Sequence, residues 1–499
     1  MKPSIFSHIP CGQTLPVNNI HAVSVSMPTL QEVIDYEENT NDIHKKITSA
    51  YPRFLLHPYL KRMATFLQEK YKISEKYEIV VVSSQKAVQL ISDRYYIHNP
   101  IVIDEPFGVI LVMRGTCQLQ KVLTFIQHVG CNLSSRFAQD YLHKQGLLDD
   151  IHEEELEESI NSEEILLSTL ASAYEQPVSN VCLAPSGMNA VYSVLEGLKA
   201  IQKRNNRDIL VQMGWLYLDT MNIVKNHYNQ SKLFYDINAF DELEDYLKLK
   251  GNNISAIITE LPTNPLLITV DVVRLKKLCD EYSIPLIIDA TFATPYNLNL
   301  KPYADICIES LTKYACGNAD VLMGAVILNE NSKLSLCSSE FFKHADKPYI
   351  KDIQRLAFQV QNYETRMKKI NANATKLVAY LKTKNFIDQI YYALDDKNKE
   401  NYSKLMRYDD AIGGVISLTF NKPFEKVYDT LNFAKGPSLG TEFTLLMPYV
   451  YLAHYDLIIC EDGRELLKDN EIPIDLMRVA VGIEDIDDII NEFERLEFI

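Results

Sequence analysis

A lysine, Lys313, stands in the stretch CIESLTKYACGNAD between an apolar run suited to a buried strand and a loop of small residues, with the hydroxyls of Ser310 and Thr312 just ahead of it. Alone, a lysine in such a turn is an ordinary solvated side chain, because lysines are mostly exposed. Three other stretches change its meaning. LAPSGMN places Ser186, Gly187 and Met188 at the start of a helix, where free backbone N–H groups and the positive end of the dipole suit a phosphate and Gly187 permits close approach. TELPTNP supplies the amide of Asn264, and IIDATFATP supplies the carboxylate of Asp289. Each has a plainer reading: Asp289 as a helix cap, Asn264 as a turn residue before Pro265, Gly187 as a tight turn. All four stretches follow strand-like runs, however, and in parallel α/β sheets the residues past the strands' carboxyl ends converge on one crevice. A phosphate cup, a carboxylate, an amide and a lysine together fit pyridoxal 5′-phosphate. Its aldehyde takes a lysine amine as a Schiff base, its pyridine nitrogen needs a carboxylate to stay protonated as an electron sink, and its phosphate needs an anion site.

The elements that must position these groups are legible from Val181 onward. VCLAP reads as a short strand, and the following SGMNAVYSVLEGLKAIQKR sets Met188, Val191, Leu195, Leu198 and Ile201 on one helical face. DILVQM, AIITE, PLIID and DICIES repeat the strand pattern, separated by helical stretches such as VDVVRLKKLCDEY. This alternation predicts an α/β fold with a mostly parallel sheet covered by helices, spanning residues 166–348. After Gly324 the rhythm changes: a long helical stretch from Asp352 to Lys384, then GGVISLTF, then MRVAVGIEDIDDIINEFERL, which together predict a smaller α+β domain over residues 349–499. Residues 1–165 are less regular. They contain the helical HPYLKRMATFLQEKY, the strand-like YEIVVVSS and PFGVILVM, and the acidic DDIHEEELEESINSEE, which reads as a solvated helix or linker.

Composition narrows the chemistry further. The 499 residues suggest roughly three domains' worth of chain at ~150 residues each. Hydrophobic content of 47% with 29 tyrosines and 19 phenylalanines belongs to a folded globular protein. A net charge of −16 argues against nucleic acid, whose phosphates need clustered Lys and Arg. The nine cysteines are scattered and odd in number, without a CxxC pair, as expected of reduced thiols in a cytoplasmic protein. No leader-like apolar region and no run near the ~18 apolar residues of a membrane helix is present. The absence of HExxH, GxxxxGK[ST] and GxGxxG removes support for metal hydrolysis and P-loop chemistry.

The stretches PSGMNA, LYLDT, ELPTNPLL, IIDATFATPY, ESLTKYACGNADVLMG, GPSLGTEFTL and MRVAVGIEDIDDI together resemble the cystathionine γ-synthase group of the Cys/Met-metabolism PLP enzymes, in the family's order, over about residues 181–499. The resemblance implies the type I fold of PLP-dependent transferases. It also implies that Lys313 carries the cofactor, Asp289 holds the pyridine nitrogen, Asn264 bonds the ring's phenolic oxygen, and Gly187, Met188, Ser310 and Thr312 bind phosphate. Tyr217 takes the place of the ring-stacking tyrosine, Arg478 that of the arginine that grips the substrate α-carboxylate, a task suited to a bidentate guanidinium, and Ser438 lies in the substrate-side GPSLGTEFTL segment. The N-terminal IPCGQTLPVNNIHAVSVSMPTLQEVIDYEE resembles the long, fungal-type γ-synthases. For the tyrosine and arginine that reach a neighbouring subunit's phosphate, two pairs compete: Tyr51 and Arg53 in YPRF, or Ser135 and Arg136 in LSSRFAQDYL.

Departures from the family pattern are Ala290 in place of its asparagine, Leu218 and Asp219 in place of two glycines, and Glu309 in place of a histidine. The implied activity is γ-replacement, joining an O-acylated homoserine to cysteine to form cystathionine, in a homodimer or homotetramer without nucleic-acid or membrane partners. The alternatives on the same scaffold are a cystathionine lyase, a sulfhydrylase, or a catalytically weak cofactor-binding paralogue with a regulatory role.

Overall fold

The structure, a computed structural model, describes residues 5–47, 55–99 and 101–499. Its centre is a seven-stranded sheet in the order Val181–Ala184, Gly324–Leu328, Ile306–Ser310, Leu286–Asp289, Ile254–Glu260, Ile209–Met213 and Gln230–Phe234. Only Gly324–Leu328 runs antiparallel to its neighbours. The central strands are apolar because both faces are covered. All seven positions of Ile254–Glu260 are buried, and successive residues alternate between two cores: Ala256, Ile258, Ile287 and Ile308 in one, Ile257, Ile288 and Cys307 in the other.

Two of the seven strands differ from the sequence reading. Gly324–Leu328 and the edge strand Gln230–Phe234 were not expected. The second is polar and only partly buried because it has a neighbour on one side only. The helix Gly187–Gln202 forms as expected, capped by the Ser186 side chain accepting from the Asn189 amide and burying Ala190, Val191, Val194, Leu195 and Leu198.

A second sheet of five strands, Ile387–Tyr391, Val415–Phe420, Met477–Ala480, Leu445–Pro448 and Ala434–Lys435, lies in the C-terminal part. The long helical stretch before it divides into Ile350–Gln359 and Tyr363–Leu381 at a short 3₁₀ turn. In the N-terminal region Tyr77–Val82 and Gly108–Met113 pair antiparallel. The acidic segment takes the linker form, one of the two expected of it, with one residue drawn inward. Residues 151–158 carry no helix. Their Glu154 is drawn inward by the fully buried Arg136, bonding Nε at 2.7 Å and Nη2 at 2.6 Å. Among the described residues no helix is long and apolar enough to cross a membrane.

Candidate active site

The carboxyl ends of the parallel strands open into one cleft. Glu260, Asp289 and Ile308 are Cα partners on three adjacent strands, so they project to the same face, and all three line the cleft. The start of helix Gly187–Gln202 presses against the strand Ile306–Ser310. A Cβ on Gly187 would meet the Ser310 Cβ at 2.9 Å, so glycine is required for helix and strand to close this end of the cleft. Ser186, Gly187, Met188 and Ser310 line it together.

Lys313 enters from the turn after Ile306–Ser310, and its Nζ donates to Ser438 Oγ at 3.0 Å. Ser438 holds φ at +112°, a strained backbone for a residue with a Cβ. That conformation offers its hydroxyl to Lys313 while its carbonyl accepts from Arg478 Nη2 at 2.8 Å. Lysine and arginine are thus tied through one residue. Gly440 seats the same loop, since a Cβ there would come within 2.7 Å of the Tyr314 amide.

Arg478 is buried on the strand Met477–Ala480, donates to Asn264 Oδ1 at 3.2 Å and lies 5.5 Å from the centre of the Tyr449 ring. Burial pushes its pKa below the usual range. Among the described residues no carboxylate lies within ion-pair distance of it, and it lines the cleft as a buried cation. Asn264 bridges onward, its amide donating to the Tyr449 hydroxyl at 3.2 Å.

Asp289 accepts from the Thr291 amide at 2.9 Å and has no cation within ion-pair distance among the described residues. Burial raises its pKa, and burial first and the Asp289 charge second push that of Glu260 well above the usual carboxylate range. Two desolvated carboxylates at paired positions do not both ionise, so the pair holds one proton between them. One Glu260 oxygen takes the Tyr217 amide, while the other is buried without a partner. Tyr217 donates its hydroxyl to Asp219 at 3.2 Å, and the other Asp219 oxygen is held by Gln127 at 2.9 Å.

These residues fit pyridoxal phosphate. A buried anion with no cation of its own suits a pyridinium. The glycine-seated helix start beside the Ser310 hydroxyl suits a phosphate, and a lysine amine and a guanidinium line the same cleft.

The structure gathers Lys313, Asp289, Asn264, Gly187, Met188, Ser310, Tyr217, Ser438 and Arg478 on one cleft. Thr312 is not among them. It is buried and its hydroxyl is spent on the strand turn, donating to the Met323 carbonyl at 3.2 Å and accepting from the Met323 amide at 3.1 Å. Arg136 is engaged internally with Glu154, Asp352 at 3.0 Å and the Asp320 carbonyl at 2.7 Å, and Ser135 with His21 at 3.0 Å. Tyr51 and Arg53 lie outside the described residues.

Sequence reasoning missed Gln127, Gly130 and Asn132, which bring the N-terminal region into the cleft, and Glu260 and Tyr449. Glu260 left a signal, as the one charged residue in an otherwise uncharged, fully buried strand. Among the described residues no group of three or more His, Cys, Asp or Glu is placed to hold a metal ion.

Comparison with known proteins agrees with this geometry. The profile of the family described as Cys/Met metabolism PLP-dependent enzyme matches residues 153–496. The chain is 34% identical to the L-2-amino-4-chloropent-4-enoate dechlorinase/desaturase of Streptantibioticus cattleyicolor over 475 residues, covering 94% of each chain. It is 32% identical to the cystathionine γ-synthase of Neurospora crassa over 325 residues, covering 63% of this chain and 51% of that one. Among solved structures, cystathionine γ-synthase of Xanthomonas oryzae pv. oryzae in complex with aminoacrylate and cysteine superposes with a TM-score of 0.59 at 19% identity, over 68% of this chain and 87% of that one. This last likeness concerns the fold.

Proposed function

The chain belongs to the Cys/Met metabolism PLP-dependent enzyme family, and on that premise we propose that it acts at the γ-carbon of an L-amino acid, replacing the acyl group of an O-acylated homoserine with the thiol of cysteine to form cystathionine. The observation that supports the reading is the linkage of Lys313 and Arg478 through Ser438, which ties together the two groups proposed to move protons and to bind the substrate carboxylate, on the cleft that Asp289 also lines. Arg478 binds the α-carboxylate bidentately. The bound cofactor supplies an electron sink conjugated with the substrate Cα. Lys313 removes the Cα proton and then a Cβ proton, so that the group on Cγ can depart, and returns protons after the thiol has added. Ser438 aims the Lys313 amine between those positions. Asp289 keeps a proton on the pyridine nitrogen, Asn264 holds the ring's phenolic oxygen, and Tyr217 covers the ring and excludes water. A homo-oligomer in which Tyr51 and Arg53 serve a neighbouring subunit's phosphate is part of the same proposal, as is a cytoplasmic address.

The test compares visible spectra of the purified protein and Lys313→Ala, then products from O-acetyl- and O-succinylhomoserine with cysteine. A lysine-dependent band with cystathionine from the wild type supports the reading, and no such band overturns it. A second reading, loss of a Cγ substituent without replacement, is favoured by the 34% identical relative, whose named substrate carries chlorine on its fourth carbon. Release of the leaving group at full rate without cysteine would select it.

A further inference from the structure

We propose that Gln127, from the N-terminal region, is a positioning residue of this site: through Asp219 it fixes the ring of Tyr217, and with the ring the geometry in which the cofactor is held. The inference rests on the reading of Tyr217 as the residue that covers the cofactor ring, and it gives the N-terminal region a part in the chemistry. A bridge of two hydrogen bonds carries it. The Gln127 amide donates to one Asp219 oxygen at 2.9 Å, and the Tyr217 hydroxyl donates to the other at 3.2 Å. All three side chains line the cleft. Asp219 is buried in the first turn of the helix Leu218–His227, two residues past Tyr217. Its carboxylate is held on one side by the N-terminal region and holds the tyrosine on the other, so turning the tyrosine ring away costs a hydrogen bond to a charged group. A glycine at position 219, as in the family pattern, could not form this bridge.

Gln127 is aimed from a turn that the rest of the site holds in place. It lies in the last turn of the helix Cys117–Val129. Carbonyls at the end of this helix are taken by the start of the helix Gly187–Gln202: the Asn189 amide donates to that of Val129 at 3.1 Å, and the Ser186 hydroxyl donates to that of Gly130 at 2.9 Å. The approach is so close that a Cβ on Gly130, whose φ is +68°, would come within 2.1 Å of Ser186 Oγ. On the other flank, His128 Nδ1 and His227 Nε2 stand 3.0 Å apart, at the far end of the helix that Leu218 begins. One turn of the N-terminal region therefore grips both the helix start proposed for the phosphate and the helix that follows Tyr217. Gln127 is the member of that turn whose bond leads to the tyrosine ring. Held from so fixed a base, the ring is ordered before the cofactor arrives, which lowers the cost of binding it.

The test is a mutant cycle of Gln127→Met, Tyr217→Phe and the double variant. The cofactor-free proteins are titrated with pyridoxal 5′-phosphate, and the visible band and its circular dichroism are read. Each single change is expected to raise the Kd about threefold to tenfold and to weaken the dichroism. The double variant should be no worse than Tyr217→Phe, because Gln127 acts through the tyrosine hydroxyl. Binding by Gln127→Met equal to that of the wild type overturns the proposal, and so do effects that multiply in the double variant. Gln127→Glu at pH 8 has the same shape but presents acceptors only, so it should weaken binding at least as much as Gln127→Met. If it binds like the wild type, glutamine serves only to fill space and the proposal fails. Denaturant unfolding of each variant separates these effects from loss of the fold, and Gln127→Glu takes the place of Gln127→Met in the cycle if the latter does not fold. None of these readouts depends on which substituent leaves Cγ, so failure of the γ-carbon reading would show separately, as the absence of cystathionine.

Discussion

Replacing Glu260 by glutamine tests how the two buried carboxylates divide their charge. Glu260 and Asp289 are directly paired on adjacent parallel strands, which lie ~4.8 Å apart, so two ionised carboxylates there would face each other at about 5 Å. With an effective dielectric constant of about 20 their repulsion is about 3 kcal/mol, or roughly two pKa units. One proton must be retained, and because Glu260 is raised by the Asp289 charge as well as by burial, the prediction places it there. Glutamine has the same shape, is neutral, and still accepts the Tyr217 amide. Glu260→Gln should therefore keep the cofactor's visible spectrum and hold kcat/KM within about threefold, whereas Asp289→Asn should lose roughly 10²–10³-fold. Folding stability supplies an independent check. A carboxyl whose pKa is raised in the fold keeps its proton while the unfolded chain releases it, so wild-type stability falls as pH climbs above the ordinary value of 4.5, and Glu260→Gln should flatten that slope. The assays are a pH profile of kcat/KM and denaturant unfolding between pH 4 and 8. If Glu260→Gln moves the acidic limb of the profile down by about two units, or costs a hundredfold in kcat/KM, then Glu260 is ionised in the wild type and the division of charge argued above is wrong.

Two further substitutions probe the frame around the site. Arg136→Ala strands Glu154 and Asp352, both nearly buried, and should destabilise the protein by ~3–5 kcal/mol in denaturant unfolding while leaving low-temperature kcat/KM within about threefold. A loss of cofactor affinity without loss of stability would instead return Arg136 to the phosphate. Lys435 is buried on the strand Ala434–Lys435, its Nζ donating to the Pro28 carbonyl at 2.7 Å, and burial lowers its pKa to about 8. Between pH 8 and its ordinary 10.5 the unfolded chain holds the extra proton, so wild-type stability should rise with pH across that window by roughly 3 kcal/mol. Lys435→Met should lack that rise.

The parts of the fold that the sequence made legible are those where burial forces a simple pattern. Central strands such as Leu286–Asp289, covered on both faces, must be apolar throughout, and the helix Gly187–Gln202 must keep one stripe apolar. Where coverage is partial the pattern weakens. Gln230–Phe234 has one neighbour and a polar sequence, and Ala434–Lys435 is two residues long, so neither carries a period that can be read. The acidic segment forms the linker that its charge run allows, with one exception to its solvation. Charge in a run predicts solvation, but a buried arginine far along the chain reverses that for one member, and Glu154 is drawn inward by a partner that only the tertiary structure supplies.

Register also decides which departures from the family pattern matter. With Ser310 at the cleft, strand alternation turns Glu309 to the other face, where it accepts from Tyr174 at 2.6 Å and Tyr363 at 2.8 Å and is pushed by burial up to about 7. With Asp289 at the cleft, Ala290 likewise turns into the opposite core. Neither lines the site, and the period of two alone was enough to deduce this. Leu218 and Asp219 do line it, at the start of the helix Leu218–His227, where consecutive residues are not sent to opposite faces. They fill space that glycines would leave open, and Asp219 adds a carboxylate bonded to Tyr217 and to Gln127 from the N-terminal region. Differences in substrate choice between this chain and its glycine-bearing relatives are therefore to be sought at Leu218, Asp219 and Gln127, and not at Ala290 or Glu309.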